Sequence, residues 1–424
     1  MLRRMSGKIA GTCAIALFIS VPALAYDYPL TDSFVATVVG TPADLRYKTD
    51  VRVPLKRRSM EIFPDREPPE VFFYDKKMHY SYALQKGPAP LIFAIAGTGG
   101  SHIGGGNRKL LGPLYEAGFH VVLLSSPTYS NFVISASKSQ VPGHAFDDAA
   151  DLYNVMEKIW AKLEGKADVT SFNLTGYSLG AFNAAFVARL DSERGSFNFR
   201  RVVMLNSPVR LYNSISLLDR MLENLPGGED NFAAFFDDLV TRLGEVYKRS
   251  DELQLGEDAL FQVYEIYKPP DEVLGALIGT AFRMSAANMV FASDVATDFG
   301  YIKPANVTLR KGSNIELYEK VAMRLGFTDY FHAYFYPYHK ALDPTTDRQT
   351  LIDRMSLEAI EDWLKTADHV FVHHNANDLI LAPGEIDFFP RVFGDRATIY
   401  PYGGHLGNMD YRENVEHMLA LLKQ

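Results

Sequence analysis

Cysteine is all but missing from this chain of 424 residues, Cys13 being the only one. That excludes disulfide staples, and removal of the N-terminus would also exclude a thiolate nucleophile and a cysteine metal site. Long hydrophobic runs are scarce: past the first segment, nothing approaches the roughly 18 continuous apolar residues of a spanning helix. Positive charge is not in excess, since 43 basic against 51 acidic residues give −8. Broad electrostatic capture of nucleic acid or of an anionic membrane is thereby disfavoured. Internal repeats and low-complexity tracts are also lacking. What remains, 47% hydrophobic and 22% charged residues, is a globular composition and excludes collagen, coiled coil and wholesale disorder. A chain this long can bury a core without staples.

The first twenty-five residues stand apart. Arg3, Arg4 and Lys8 precede a mostly apolar stretch, Ile9 to Ile19, and Ala23-Leu24-Ala25 is a small-x-small cleavage pattern. This is the layout of a secretory signal peptide, the alternative being an uncleaved anchor. Cleavage after Ala25 would take away three positive charges, no acid and Cys13, leaving −11. Export without disulfides fits a bacterial periplasm.

Residues 26–70, rich in proline and charge, read as an N-terminal extension with one or two edge strands and an alternating run at Phe34–Val39. Over 71–208 the pattern becomes regular. Val71–Tyr74 and Met78–Leu84 suggest a hairpin, and strands at Leu91–Ala96, Val121–Leu124, Ser171–Thr175 and Val202–Leu205 alternate with helical stretches. Such alternation predicts an α/β fold with a mostly parallel sheet, and strands apolar throughout, such as Leu91–Ala96, suit a sheet covered on both faces. Residues 209–350 break the rhythm with amphipathic helical segments (Phe232–Leu243, Val273–Met284, Ile315–Leu325) and an aromatic stretch, Tyr330–Tyr338. The α/β rhythm resumes over 351–424, with strands at Val370–Val372 and Thr398–Tyr400. The sheet is thus interrupted by a helical insertion.

Four elements carry chemistry. Gly176-Tyr177-Ser178-Leu179-Gly180 stands where a strand ends and a helix begins. A tight turn there projects the serine hydroxyl out of the sheet, and the flanking glycines let backbone pass without a Cβ clash. A serine is a weak nucleophile until a base takes its proton. The loop Gly97-Thr98-Gly99-Gly100-Ser101-His102 follows another strand; it lacks the sixth-position glycine of a dinucleotide loop and the Gly-Lys of a Walker loop. It therefore reads as a source of backbone N–H groups for a developing oxyanion, from Thr98 or Gly99 together with Leu179. Asn377-Asp378 and Gly403-Gly404-His405 each follow a strand near the C-terminus and suit an orienting carboxylate and a base. Asp387 is a weaker rival to Asp378. His102 is a possible base but suits the pocket wall better, as does Tyr177. Adjacent His373 and His374 point to opposite faces of a strand, which disfavours a shared metal.

Together these elements resemble the α/β-hydrolase superfamily: Gly176-x-Ser178-x-Gly180, the loop Gly97–Gly100, and the chain order Ser178, Asp378, His405. The resemblance covers about residues 71–208 and 351–424. It implies that Ser178 is the nucleophile, His405 the base and then acid, and Asp378 the orienting carboxylate, with residues 209–350 as a cap. No metal or organic cofactor is implied. Ala96-Gly97 stands where the superfamily often has His-Gly, so Thr98 and Gly99 remain alternatives. The cap matches no subfamily pattern. Its aromatics more often make a cap's own core than a substrate wall; any that face the cleft favour an apolar acyl or aromatic group. The expectation is an exported serine hydrolase acting on a small-molecule or lipid carboxylic ester. Thioesterase, peptidase, acyltransferase and non-catalytic binding protein are the alternatives. No nucleic-acid partner is expected, and no oligomeric state is indicated.

Overall fold

The computed structural model describes residues 26–222, 225, 227–228, 231, 234–235 and 259–424. The expected leader, 1–25, lies outside them, as does most of the segment Phe232–Leu243. The core is a sheet of eight strands: β1 (Lys56–Met60), β2 (Met78–Ala83), β3 (Ala89–Ile95), β4 (His120–Leu124), β5 (Val169–Tyr177), β6 (Arg201–Leu205), β7 (Val370–Asn375) and β8 (Ala397–Tyr400). Their spatial order is β1-β2-β4-β3-β5-β6-β7-β8. β2 runs antiparallel to β1 and β4, and all other neighbours are parallel.

Burial on both faces explains the continuous apolar strands. Along β3, Leu91, Phe93 and Ile95 join one hydrophobic cluster with Leu152, Ile159, Phe182 and Phe186. The alternate residues Ile92, Ala94 and Ala96 join a second cluster with Leu110, Leu114, Val415 and Met418. The first cluster is covered by helices α4 (Ala145–Leu163) and α5 (Leu179–Arg194), the second by α2 (Gly105–Glu116) and the terminal helix Arg412–Lys423.

Two expectations near the N-terminus need correction. Val71–Tyr74 lies in a 3₁₀ turn, Glu70–Asp75, and β2 pairs instead with β1. β1 escapes a hydrophobic pattern search because Lys56–Ser59 are all exposed, as suits a charged sheet edge. The run Phe34–Val39 belongs to a helix, α1 (Ser33–Val39). The Asp32 carboxylate accepts the Val35 N–H at 2.8 Å, and Gly40 at φ 74° ends the helix. Val35, Ala36 and Val39 are its buried stripe, the i, i+1, i+4 spacing of one helix face.

The chain leaves β6 into helix α6 (Leu211–Arg220), then a 27-residue helix, Asp271–Thr297, and a run of aromatic turns, Phe327–Tyr330, Phe331–Phe335 and Tyr336–Leu342. Asp271–Thr297 is long and apolar enough to cross a membrane by length and composition. In the folded chain it packs on α1, on α6 and on a short helix α3 (Ser130–Ser135).

One buried acid carries a pH prediction. Asp148 accepts the Gly143 N–H at 2.9 Å. Burial, reinforced by Asp151 and Asp147, holds its carboxyl well above the ordinary range against that hydrogen bond. The folded state therefore binds this proton more tightly than the unfolded chain. The resulting penalty is absent below the ordinary value of 3.8 and grows as pH rises toward the raised value. Asp148→Asn is expected to be more stable than the parent near neutrality, with the advantage vanishing in acid. Denaturant midpoints across pH 4–8 measure it, and a constant difference would refute the assignment.

Candidate active site

The serine is built by backbone before side chain. Ser178 sits between β5 and α5 at φ 54°, ψ −126°, a conformation rare for any residue with a side chain. Its N–H donates to the Leu205 carbonyl at 2.9 Å, pinning the turn to β6. A Cβ on Gly180 would come within 2.6 Å of the Ala96 carbonyl oxygen, and one on Gly176 within 2.8 Å of the Ala181 nitrogen. Only glycines let β3, β5 and α5 meet this closely.

Two loops at the same sheet edge bring the partners. The loop after β8 uses Gly403 (φ 142°) and Gly404 (φ 56°) to turn His405 toward Ser178. His405 Nε2 lies 2.9 Å from Ser178 Oγ, and its Nδ1 lies 3.1 and 3.0 Å from the two oxygens of Asp378, which follows β7. Asp378 is buried and also accepts from the Asn206 amide at 2.7 Å and the Ile380 N–H at 3.1 Å. Burial raises its carboxyl, but His405 facing it, with His374 and Asn206, outweighs burial and holds it below the ordinary carboxylate range. It is therefore a carboxylate at neutral pH.

The supports of these groups are absent from the sequence expectations. Asn206 follows β6 at φ 48°, a conformation asparagine tolerates better than most residues. The N-terminal segment straps the histidine loop. Thr37 Oγ1 accepts the His405 N–H at 2.8 Å, and Tyr28 and Thr41 hydroxyls both donate to the Gly407 carbonyl at 2.9 Å. These partners are 366 to 379 residues apart in the chain, so no local signal announces them.

The glycine loop after β3 separates its two alternatives. The Gly99 N–H donates to Thr128 Oγ1 at 2.8 Å and is thereby taken. The N–H groups of Thr98 and Leu179 have no acceptor among the described residues, and both residues line the cavity above Ser178. Gly99 is thus corrected as a donor, leaving Thr98 and Leu179.

His102 and Tyr177 are also corrected, since neither is among the residues lining the cavity. His102 Nδ1 lies 2.7 Å from Ser81 Oγ, and its N–H donates to Ser125 Oγ at 2.9 Å. Burial, with His79 and Arg57 nearby, pushes its imidazole down to about 4. The Tyr177 ring turns the other way from Ser178, under the glycine loop, where it leaves no space for a Cβ on Gly97 or Gly106. His373 and His374 do part to opposite sides: His374 Nε2 donates to the Ser207 carbonyl at 2.9 Å, while the His373 ring lies tilted beside that of His417, their centroids 4.7 Å apart. Asp387 closes the turn Glu385–Asp387, whereas the carboxylate on His405 Nδ1 is that of Asp378.

A cavity opens over Ser178, walled by the core loops and by the helical segments that follow β6. Its polar lining is Thr98, Thr128, Ser178 and Ser214, and the rest is apolar, including Leu211, Ile215, Met289 and Met355. The aromatic stretch divides here. Phe327, Tyr330, Phe331 and Phe335 face the cavity, whereas Tyr334 turns away to hydrogen-bond Ser293 at 3.1 Å. The same rings belong to the main core cluster, so cap core and cavity wall are one surface.

The strand order, a serine turn after β5, a carboxylate after β7 and a histidine after β8 decide the architecture. The fold is that of the α/β hydrolases. No family model and no curated protein matches the chain. Among solved structures it is similar to a membrane phospholipase A described as a bacterial virulence factor, at 14% identity and TM-score 0.42, over 87% of this chain and 86% of that one. A fungal esterase from Rhizomucor miehei is similar at 11% identity and TM-score 0.43, over 88% and 85%. A proline iminopeptidase from Mycobacterium smegmatis is similar at 12% identity and TM-score 0.42, over 87% and 98%.

Proposed function

We propose that this α/β-hydrolase chain is a serine hydrolase that cleaves a carboxylic ester bearing a neutral, apolar acyl group. The observation that carries the reading is the contact of His405 Nε2 with Ser178 Oγ at 2.9 Å, with Asp378 on the opposite ring nitrogen. As Oγ attacks the ester carbonyl, its proton passes to Nε2, and Asp378 stabilises the imidazolium. The negative charge that builds on the carbonyl oxygen meets the N–H groups of Thr98 and Leu179. His405 then protonates the departing alkoxide as the C–O bond breaks, leaving acyl-Ser178. Water, losing its proton to His405, attacks the acyl carbon; the C–O bond to Ser178 breaks, the serine recovers the proton, and the carboxylic acid leaves. None of these steps calls on a metal or organic cofactor.

The cavity argues for the substrate class. No charged side chain lines it among the described residues. An ionised group beside the scissile bond would lose its hydration there without a partner, a cost of several kcal/mol. Neutral acyl groups instead gain about 25 cal/mol per Å² of apolar surface buried. A small-molecule or lipid ester fits this lining. The layout of residues 1–25 further supports export to a periplasm, as a leader that the mature enzyme loses.

A fluorophosphonate probe tests catalytic competence, and p-nitrophenyl esters of increasing acyl length test the cleft. The parent is expected to be labelled at Ser178 and to turn over longer neutral acyl chains with higher kcat/KM than acetate. Absence of labelling in the folded protein would favour a non-catalytic binding role instead. Faster cleavage of thioesters or amides than of matched oxygen esters would shift the substrate assignment.

A further inference from the structure

The loop that would hold the oxyanion has two successive N–H groups, those of Thr98 and Gly99, and only one of them is free. The Gly99 N–H donates to Thr128 Oγ1 at 2.8 Å, and Thr128 Oγ1 lies 2.9 Å from Ser126 Oγ, which also accepts the Thr128 N–H at 3.3 Å. Either hydroxyl of the Thr128–Ser126 pair can donate to the other, since the Thr128 oxygen has a second lone pair beyond the one that takes the Gly99 N–H. Both residues are buried. Two more bonds tie the same loops: the Ser126 N–H donates to the Gly100 carbonyl and the His102 N–H to Ser125 Oγ, each at 2.9 Å. From the cap side the helix Asp271–Thr297 presses on the same spot, because a Cβ on Gly99 would lie 2.6 Å from Ser285 Oγ.

We propose that Thr128 is the positioning residue of the oxyanion site: by taking the Gly99 N–H it fixes the peptide before it, so that the Thr98 N–H alone faces the acyl carbonyl over Ser178. The inference rests on the serine-hydrolase reading and adds a residue to it. Its physical basis is competition. The Gly99 N–H belongs to the Thr98–Gly99 peptide; beside a glycine at φ 65° and without a hydrogen bond that peptide can turn cheaply, loosening the loop that aims the Thr98 N–H. A donor aimed in advance costs nothing to reorganise as charge develops, whereas a donor that must be re-aimed contributes less.

Thr128→Val keeps the shape of the side chain and removes the hydroxyl, and with it the acceptor for the Gly99 N–H and the bond to Ser126. It is expected to lower kcat on a p-nitrophenyl ester by about 10- to 100-fold with KM within about twofold, the pattern of an interaction made in the transition state. An alkyl trifluoromethyl ketone, whose adduct with Ser178 carries an oxyanion, is expected to lose affinity by the same factor. The matching carboxylic acid product is expected to bind unchanged. Thr128→Ser restores the acceptor and is expected to recover kcat to within about threefold of the parent. If the valine variant keeps the parent kcat, or if its loss falls on KM and on product binding equally, the positioning role is wrong. Should the valine variant fail to fold, Thr128→Ala, which also removes the acceptor of the Gly99 N–H, carries the test: a kcat at the parent value there would likewise overturn the proposal. Hydrolysis that survives in Ser178→Ala would instead sink the underlying reading, whatever Thr128 does.

Discussion

Ser178→Ala is expected to lower ester turnover by at least about 10⁴-fold, and His405→Ala by a similar factor, because nucleophile and base act as one unit. The double variant should be little worse than either alone, since each change already disables the proton transfer at Nε2. Stability should hardly move. Among the described residues Ser178 Oγ has one protein partner, His405 Nε2 at 2.9 Å, and both residues are half-buried, outside the hydrophobic core. Thermal midpoints of the parent and both variants check this, and a variant that melts early would make the lost activity uninformative. The backbone supplies a sharper comparison. At φ 54°, ψ −126° a Cβ costs about 1–3 kcal/mol, and alanine keeps that cost while glycine removes it. Ser178→Gly is therefore expected to be as inactive as Ser178→Ala and more stable, although glycine's looser unfolded chain takes back about 0.5–1 kcal/mol. Substantial turnover left in His405→Ala would remove the base assignment; the structure offers no substitute in His102, which is held by Ser81 and Ser125.

Local chemistry explains what could be read in the sequence. The apolar strands β3, β4 and β6 announce themselves because burial on both faces demands near-continuous Val, Ile, Leu and Phe. Ser178, Asp378 and His405 stand out because each follows a strand, two of them in glycine turns whose need for glycine is written in the residues alone. The rest depends on long-range contact. β1 is a row of exposed charge, legible only beside its partner β2. Helix α1 has too few residues to distinguish a buried stripe from an alternating strand. The choice between Thr98 and Gly99 turns on Thr128, 29 residues beyond Gly99, and the orientation of Asp378 on Asn206, 172 residues before it. His102 and Tyr177 misled for a related reason. Being next to a reactive loop in sequence does not fix the side of the sheet a side chain takes, and both turn into the protein.

Gly180→Ala is expected to disrupt the fold more than any replacement of a triad side chain. Its Cβ would lie 2.6 Å from the Ala96 carbonyl oxygen and 2.7 Å from the Ile95 carbonyl carbon, and closer still to the Ile95 oxygen. These are backbone atoms of the β3 end, hydrogen-bonded into the sheet centre, so no rotamer change relieves the clash. Either α5 lifts from β3 or β3 bends, and both routes disturb the packing of Phe182 and Ala184 in the main cluster. A destabilisation of about 3 kcal/mol or more follows, at the upper end for overpacking. Gly105→Ala is the matched control: the first residue of α2 has open space around its Cβ position and an ordinary helical place. It is expected to be neutral or up to about 1 kcal/mol more stable, through the entropy glycine loses on folding. Denaturant midpoints of the two variants test the contrast. A Gly180→Ala protein as stable as the parent would mean that β3 and α5 do not approach as described, and with them the elbow that raises Ser178 above the sheet.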